Sequence, residues 1–92
     1  MNERRSKVSI LKDILKTIEK ENDRAKPTHI LYGANLSHDR LKKYLDTLMT
    51  EGFIEKKEEK GQVYYSTTLK GKEFFSGINK MKKFFEAFGV EI

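Results

Sequence analysis

Residues 37–54 read Ser37-His38-Asp39-Arg40-Leu41-Lys42-Lys43-Tyr44-Leu45-Asp46-Thr47-Leu48-Met49-Thr50-Glu51-Gly52-Phe53-Ile54. Within this stretch Leu41, Tyr44, Leu45, Leu48 and Met49 recur at spacings of 3, 1, 3 and 1. That rhythm lays one apolar stripe along a helix. Ser37 is a good N-cap, and Asp39 puts a negative charge in the first turn, where the helix dipole favours it. Gly52 suits the position just past a helix end. The stretch predicts a helix over about 38–51 that hands the chain directly to Phe53-Ile54, the start of a β-prone run.

Downstream, residues 53–57 and 62–66 flank Glu58-Glu59-Lys60-Gly61. Two β-prone runs around a polar turn predict a hairpin. Alternation along its second strand buries Val63 and Tyr65 and leaves Tyr64 on the surface. Thr67 or Thr68 caps a last helix reaching about Phe88, with Gly89 as its stop. Upstream, Val8, Leu11, Ile14, Leu15 and Ile18 predict a first helix capped by Ser6. Residues 22–27 break it. Thr28 then caps a short helix carrying Ile30, Leu31 and Ala34, and a turn through Asn35 and Leu36 follows. Helix, short helix, turn, helix, hairpin, helix is the order of a winged helix-turn-helix. The expected fold is mostly α with a β-hairpin wing: a winged helix-turn-helix domain over 6–67, then a C-terminal dimerisation helix over 68–92.

The last helix has a second pattern. Phe74, Ile78, Met81, Phe85, Phe88 and Ile92 are spaced 4, 3, 4, 3 and 4, a heptad seam. Phe75 and Phe84 widen it. No other element remains to cover this surface, so the expected partner is a second copy, in a homodimer through Phe74, Ile78, Met81, Phe85 and Phe88.

Composition narrows the function. The chain has 92 residues, 37% hydrophobic and 36% charged, with a net charge of +5. That is one domain's worth, too short for a two-lobed enzyme. Residues 1–36 hold 8 basic and 5 acidic side chains, residues 37–65 hold 6 and 6, and residues 66–92 hold 5 and 3. The bias toward polyanions is mild. There is no cysteine, which removes disulfides, thiolate catalysis and thiolate metal sites. No apolar run reaches membrane-spanning length, and no apolar core of the signal-peptide kind follows the N-terminus. The expectation is a cytoplasmic protein with no membrane partner.

The finer pattern resembles a known family, the small archaeal winged-helix proteins of the 10a type. The residues that carry the resemblance are Tyr32-Gly33-Ala34-Asn35-Leu36-Ser37, then Leu48-Met49, the Gly52-Phe53-Ile54 exit into the wing, and Thr68-x-Lys70-Gly71 opening the last helix. It covers roughly residues 8–80. The resemblance implies two winged-helix domains joined by an antiparallel coiled coil of their last helices. It also implies binding to double-stranded DNA with little sequence preference, or a role in transcription regulation. Three departures stand out. Thr67 occupies a position that is usually apolar in the family. The last helix is shorter and richer in phenylalanine. The wing carries Glu58-Glu59, which repel phosphate.

The expected DNA-binding residues are His38, Arg40, Lys42, Lys43 and Thr47 on the third helix, with Lys56, Lys57 and Lys60 on the wing. A helix fits the major groove, where Arg or Lys pairs with guanine, and wing lysines suit phosphates. Other signals have plainer readings. Ser37-His38-Asp39 spells a catalytic triad, but consecutive residues at a helix start point in different directions. His29 and His38 have no carboxylate at zinc-ligand spacing. Gly33, Gly52 and Gly61 are isolated, so they build no phosphate-cradling loop. No catalytic residue, metal, cofactor or small-molecule ligand is expected. Tyr64-Tyr65 suits base stacking less well than plain strand alternation, and Lys12, Lys16 and Lys20 read as a solvated face. Arg4, Arg5 and Lys7 form a candidate basic arm. The net-zero charge of 37–65 keeps a second reading open, a winged-helix protein–protein interaction module within a transcription assembly.

Overall fold

In a computed structural model the described residues are 5–90, so Arg4 of the candidate arm and Ile92 of the seam lie outside them. The order is α1 (Lys7–Lys20), α2 (Pro27–Gly33), α3 (His38–Thr50), β1 (Ile54–Glu59), β2 (Gln62–Thr67) and α4 (Leu69–Ala87). Three N-caps fall where the sequence puts them. Ser6, Ser37 and Thr68 each accept, through the side-chain oxygen, the backbone N–H three residues on. The fourth does not. α2 starts at Pro27, one residue before Thr28, because the fixed φ of proline suits a first helical position whose N–H is unneeded. The Lys26 N–H is satisfied instead by His29 Nδ1 at 3.1 Å.

All four helices stop in the same way. A residue with positive φ follows each: Asn22, Asn35, Gly52 and Gly89. The next amide then reaches back five residues, as Leu36 N–H does to the Leu31 carbonyl (3.0 Å) and Phe53 N–H to the Leu48 carbonyl (2.9 Å). This is the Schellman arrangement, and it satisfies carbonyls that the helix end would orphan. In the Tyr32–Ser37 run it accounts for Asn35, whose amide side chain tolerates the left-handed conformation, and for Leu36, which is buried. Gly33 has a different reason. A Cβ there would lie 2.5 Å from Thr17 Oγ1, so only glycine lets α2 close onto α1.

The core joins Ile10, Ile14 and Ile18 of α1, Ile30 of α2, Leu48 of α3, and Ile54 and Tyr65 of the hairpin. The first-helix stripe is shifted from expectation. Val8 is exposed and Ile10 is buried, because the face of α1 turned to the core runs through Ile10, Leu11, Ile14, Leu15 and Ile18, and Val8 lies off it. The hairpin is also longer and tighter. The strands run to Glu59 and from Gln62, leaving a two-residue loop, Lys60-Gly61, with φ of 50° and 77°. Two positive φ values make a type I′ turn, whose twist matches that of the strands. Glu58 and Glu59 therefore lie in β1 and not in the turn. A third edge is present too. Ala25 exchanges backbone hydrogen bonds with Tyr65 at 3.1 and 2.8 Å, so part of the segment read as a helix break pairs with β2.

The corner between α3, β1 and α4 is densely tied. Thr68 Oγ1 donates to the Gly52 carbonyl at 2.6 Å, Thr68 N–H to the Phe53 carbonyl at 3.0 Å, and Lys70 Nζ to the Glu51 carbonyl at 2.6 Å. Phe53 and Phe74 stack with centroids 4.3 Å apart. A Cβ on Gly71 would sit 2.0 Å from the Phe53 carbonyl oxygen, and that backbone cannot yield cheaply. Gly77, in the same helix, has nothing within 4 Å of the Cβ position. The two glycines should respond oppositely in urea unfolding. Gly71→Ala is expected to lose roughly 1–3 kcal/mol by overpacking. Gly77→Ala is expected to gain about 0.5–1 kcal/mol from helix propensity.

Asp23 holds the base of the wing to α4. Its Oδ1 accepts the Thr67 N–H at 3.1 Å, and its Oδ2 pairs with Lys72. Burial pushes the carboxyl up, but the hydrogen bonds from Lys72 and from the Thr67 amide together outweigh this and hold it below the usual carboxylate range. Thr67 itself is buried, and its Oγ1 makes no hydrogen bond of ordinary geometry, which costs stability. A lowered folded-state value makes the contribution of Asp23 complete above about pH 4, and loses it as pH falls through that value. Asp23→Asn keeps the Thr67 acceptor and removes only the charge. It is expected to cost about 0.5–1 kcal/mol at pH 7, a figure reduced because the ion pair is more than a third exposed. The difference from the unsubstituted protein should shrink as pH falls below about 4 and on through the lowered folded-state value, as read by chemical unfolding at each pH.

Candidate nucleic-acid interface

Three helical positions on α3, Leu41, Leu45 and Leu48, are buried, so the opposite line of the helix is fixed. Asp39, Lys43, Asp46 and Thr50 follow at spacings of 4, 3 and 4 and occupy that outermost line; all are exposed. Arg40 and Thr47 lie on one flank, His38 and Lys42 on the other. The cations expected to meet DNA thus divide between two flanks, and the row between them carries two acids and one lysine. Arg40 and Lys42 make no ion pair among the described residues. Lys43 Nζ lies 5.9 Å from the centroid of the Tyr44 ring. Thr47 is half-buried, and its hydroxyl donates to the Lys43 carbonyl at 3.1 Å, which occupies its only proton.

The wing divides in the same way. Lys56 pairs with Tyr65 and Lys57 with Tyr64, and partners across a ladder share a face. Lys56 therefore stands on the face that carries the buried Tyr65. Burial, and then the charge of Asp46 on α3, raise the Tyr65 hydroxyl above its ordinary value, so this face looks toward α3. Lys57 stands on the other face, beside Tyr64. Lys60 is at the tip. The three wing lysines are exposed but do not form one patch.

Arg24 completes the second face, and the sequence reading passed over it. Its guanidinium donates to both oxygens of Glu59, at 2.9 and 3.1 Å, and lies 4.2 Å above the Tyr64 ring. It follows the end of α1, in a segment whose sequence signals only a break. Its partner is 35 residues away, so no local pattern points to it.

Of the candidate arm, Arg5 and Lys7 are described; Lys7 opens α1, and Arg5 is tied down. It donates to Asp13 at 2.8 Å and to the Asn35 carbonyl at 3.1 Å, which links the start of α1 to the turn before α3. The lysine row of α1 is uneven. Lys16 and Lys20 are exposed, while burial and then the neighbouring Lys82 lower the Lys12 ammonium from the ordinary lysine value. Between α1 and α2 an open cleft of about 420 Å³ is lined by residues that include Lys16, Lys20, His29 and Tyr32. Among the described residues no cluster of three or more acidic or histidine side chains could hold a metal ion, and no helix is long and apolar enough to cross a membrane.

On α4 the seam splits at its middle. Phe74 is spent on Phe53, and Ile78 is only 6% exposed against the chain's own fold. Beyond it Met81 is 52%, Phe84 60% and Phe88 71% exposed, and Phe85 is half-buried. The Phe84 and Phe88 rings lie 5.1 Å apart.

A trihelical core, an α2–turn–α3 unit and a hairpin docked behind α3 define the winged helix-turn-helix class. A family model described as winged helix-turn-helix matches residues 4–86. The chain belongs to that family, and within it to the small archaeal proteins of the 10a type. Sso10a-2, a DNA-binding protein from Sulfolobus solfataricus, is 31% identical, and its crystal structure superposes with a TM-score of 0.81 over 91% of this chain and 85% of that one. An uncharacterized protein of Methanocaldococcus jannaschii is 36% identical over 78 residues, 85% of this chain and 74% of its own length. The SSV1 protein F-93 shares the fold at 15% identity and a TM-score of 0.67, covering 96% of this chain and 99% of that one.

Proposed function

We propose that this is a homodimeric double-stranded DNA-binding protein, a transcription regulator or chromatin-type protein, with α3 entering the major groove and the wing touching the flanking backbone. The observation that carries the reading is the exposed Arg40, Lys42 and Lys43 on the second helix of a helix-turn-helix, in a fold shared with Sso10a-2, itself a DNA-binding protein. With Asp39 and Asp46 between the cations, α3 alone is a weak polyanion binder. Phosphate contacts from Lys56, Lys57 and Lys60 supply the rest, and binding falls steeply with salt. In a gel-shift titration on random-sequence duplex at low salt the protein is expected to bind. Arg40→Glu with Lys43→Glu is expected to abolish binding and leave the melting temperature nearly unchanged, since neither side chain is buried. Binding that survives this reversal moves the DNA surface elsewhere. No binding by the unsubstituted protein favours the protein–protein interaction module instead.

The dimer rests on the distal half of α4. Three large apolar side chains within eight residues stand in water there, and burying each phenylalanine is worth about 1.5–3 kcal/mol. A second copy of the same face covers them with a self-complementary contact. Light scattering is expected to report twice the chain mass for the unsubstituted protein. Phe88→Glu is expected to return the single-chain mass without unfolding it, because Phe88 lies outside the monomer core. A single-chain mass for the unsubstituted protein at high concentration would refute the dimer.

A further inference from the structure

We propose that Arg24 is a positioning residue for the wing: through Glu59 and Tyr64 it pins the hairpin tip and cancels the acid that would turn phosphate away. This rests on the DNA-binding reading above. A two-stranded ribbon is marginal by itself and needs packing to hold its direction. The root of this one is held by the Ala25 bridge and by Asp23, but β1 is exposed from Glu55 to the turn. Arg24 is the contact that reaches the far end, since Glu59 is the last residue of β1.

The geometry suits the task. Both carboxylate oxygens of Glu59 are taken in a two-pronged hydrogen bond, which fixes direction as well as distance. The guanidinium plane also lies over Tyr64, a contact that a lysine ammonium reproduces poorly. Lys57 is cross-strand partner to Tyr64 and so stands on the same face. Without Arg24, a phosphate approaching that face would meet Lys57 beside an open Glu59 carboxylate. With Arg24, the distal part of the face (Lys57, Glu59 and Arg24) carries one net positive charge and a fixed shape, while Glu55 on the same face lies nearer the root.

The test uses four variants of the full chain: Arg24→Ala, Arg24→Lys, Glu59→Gln, and Arg24→Ala with Glu59→Gln. Arg24 and Glu59 side chains are about half exposed, at 53% and 50%, so each variant should fold, which its melting curve checks. Affinity for a fluorescein-labelled random-sequence duplex is read by anisotropy at low salt. Arg24→Ala is expected to weaken binding by about tenfold, on the order of one lost phosphate contact per subunit. Glu59→Gln should leave binding equal or tighter. The double variant should regain the part of the loss that comes from the open acid but not the part that comes from the lost pin, and Arg24→Lys should fall between Arg24→Ala and the unsubstituted protein. A double variant as weak as Arg24→Ala would show that the open Glu59 carboxylate is not what weakens Arg24→Ala, and overturns the charge-cancelling role. An Arg24→Ala protein that binds like the unsubstituted one overturns it as well. If the unsubstituted protein binds no duplex, the DNA-binding reading fails and this inference fails with it.

Discussion

Where α3, β1 and α4 meet, the Phe53 carbonyl approaches the Gly71 backbone so closely that a Cβ would stand 2.0 Å from its oxygen. That contact decides more than one residue's identity. The same carbonyl accepts the Thr68 amide, the Thr68 hydroxyl donates to the Gly52 carbonyl, and Lys70 donates to the Glu51 carbonyl. The exit of α3, the root of the wing and the entry of α4 become one unit with no hinge between them. The angle between α3 and the wing is then a property of this corner, as is the direction in which α4 leaves the domain. A DNA-binding surface built from two elements needs that rigidity, because a wing free to swing would lose entropy on every encounter. The Gly52-Phe53 and Thr68-x-Lys70-Gly71 pieces of the 10a resemblance are the chemistry of this corner.

What was legible in the sequence was local. Apolar periodicity and caps place α1, α3 and α4 within a residue or two, because each cap satisfies its own helix end. The turn into α3 was legible for the same reason, as Asn35, Leu36 and Ser37 act within one turn of chain. What failed was non-local or conditional. Val8 and Ile10 both fit an apolar stripe on α1, and only the packing of the other elements against the helix decides between them. Ala25 reads as a linker because its partner, Tyr65, comes 40 residues later. The strands outran their expected ends because Lys60-Gly61 alone adopts both positive φ values, which frees Glu58 and Glu59 to extend β1.

The candidate interface was less legible than the fold. Residue type and position were enough to nominate Arg40, Lys42 and Lys43, but not to show that acids separate them on the outermost line of α3. Naming Glu58-Glu59 as a wing liability was correct about charge and incomplete about context. Glu59 is already paired with Arg24, and Glu58 projects from the face of the wing that carries Tyr65. A net-zero stretch over 37–65 therefore does not mean a neutral surface. The sum counts an acid whose charge is offset by an arginine outside the stretch. That offset changes the charge that a phosphate at the tip would experience, at distances within a Debye length where the field still acts.

The division of labour along α4 bears on how two such domains are set apart. A uniform heptad seam would make the whole helix a coiled-coil strand and leave the domain to find its core elsewhere. Here the proximal turns belong to the monomer. Gly71 lies on the Phe53 carbonyl, Phe74 on the Phe53 ring, and Ile78 against the chain's own fold. The distal turns carry Met81, Phe84 and Phe88 into solvent. If the exposed distal turns pair as proposed, folding and association draw on different residues of one helix. In the proposed dimer the contact is confined to the last two to three turns. The separation and relative orientation of the two α3 helices then depend on the rigid run of α4 from the corner to Met81. In that arrangement those turns contact no partner, yet a bend in them would move each α3 relative to the other, so the proposed fit to two successive grooves would depend on a stretch outside both proposed contacts.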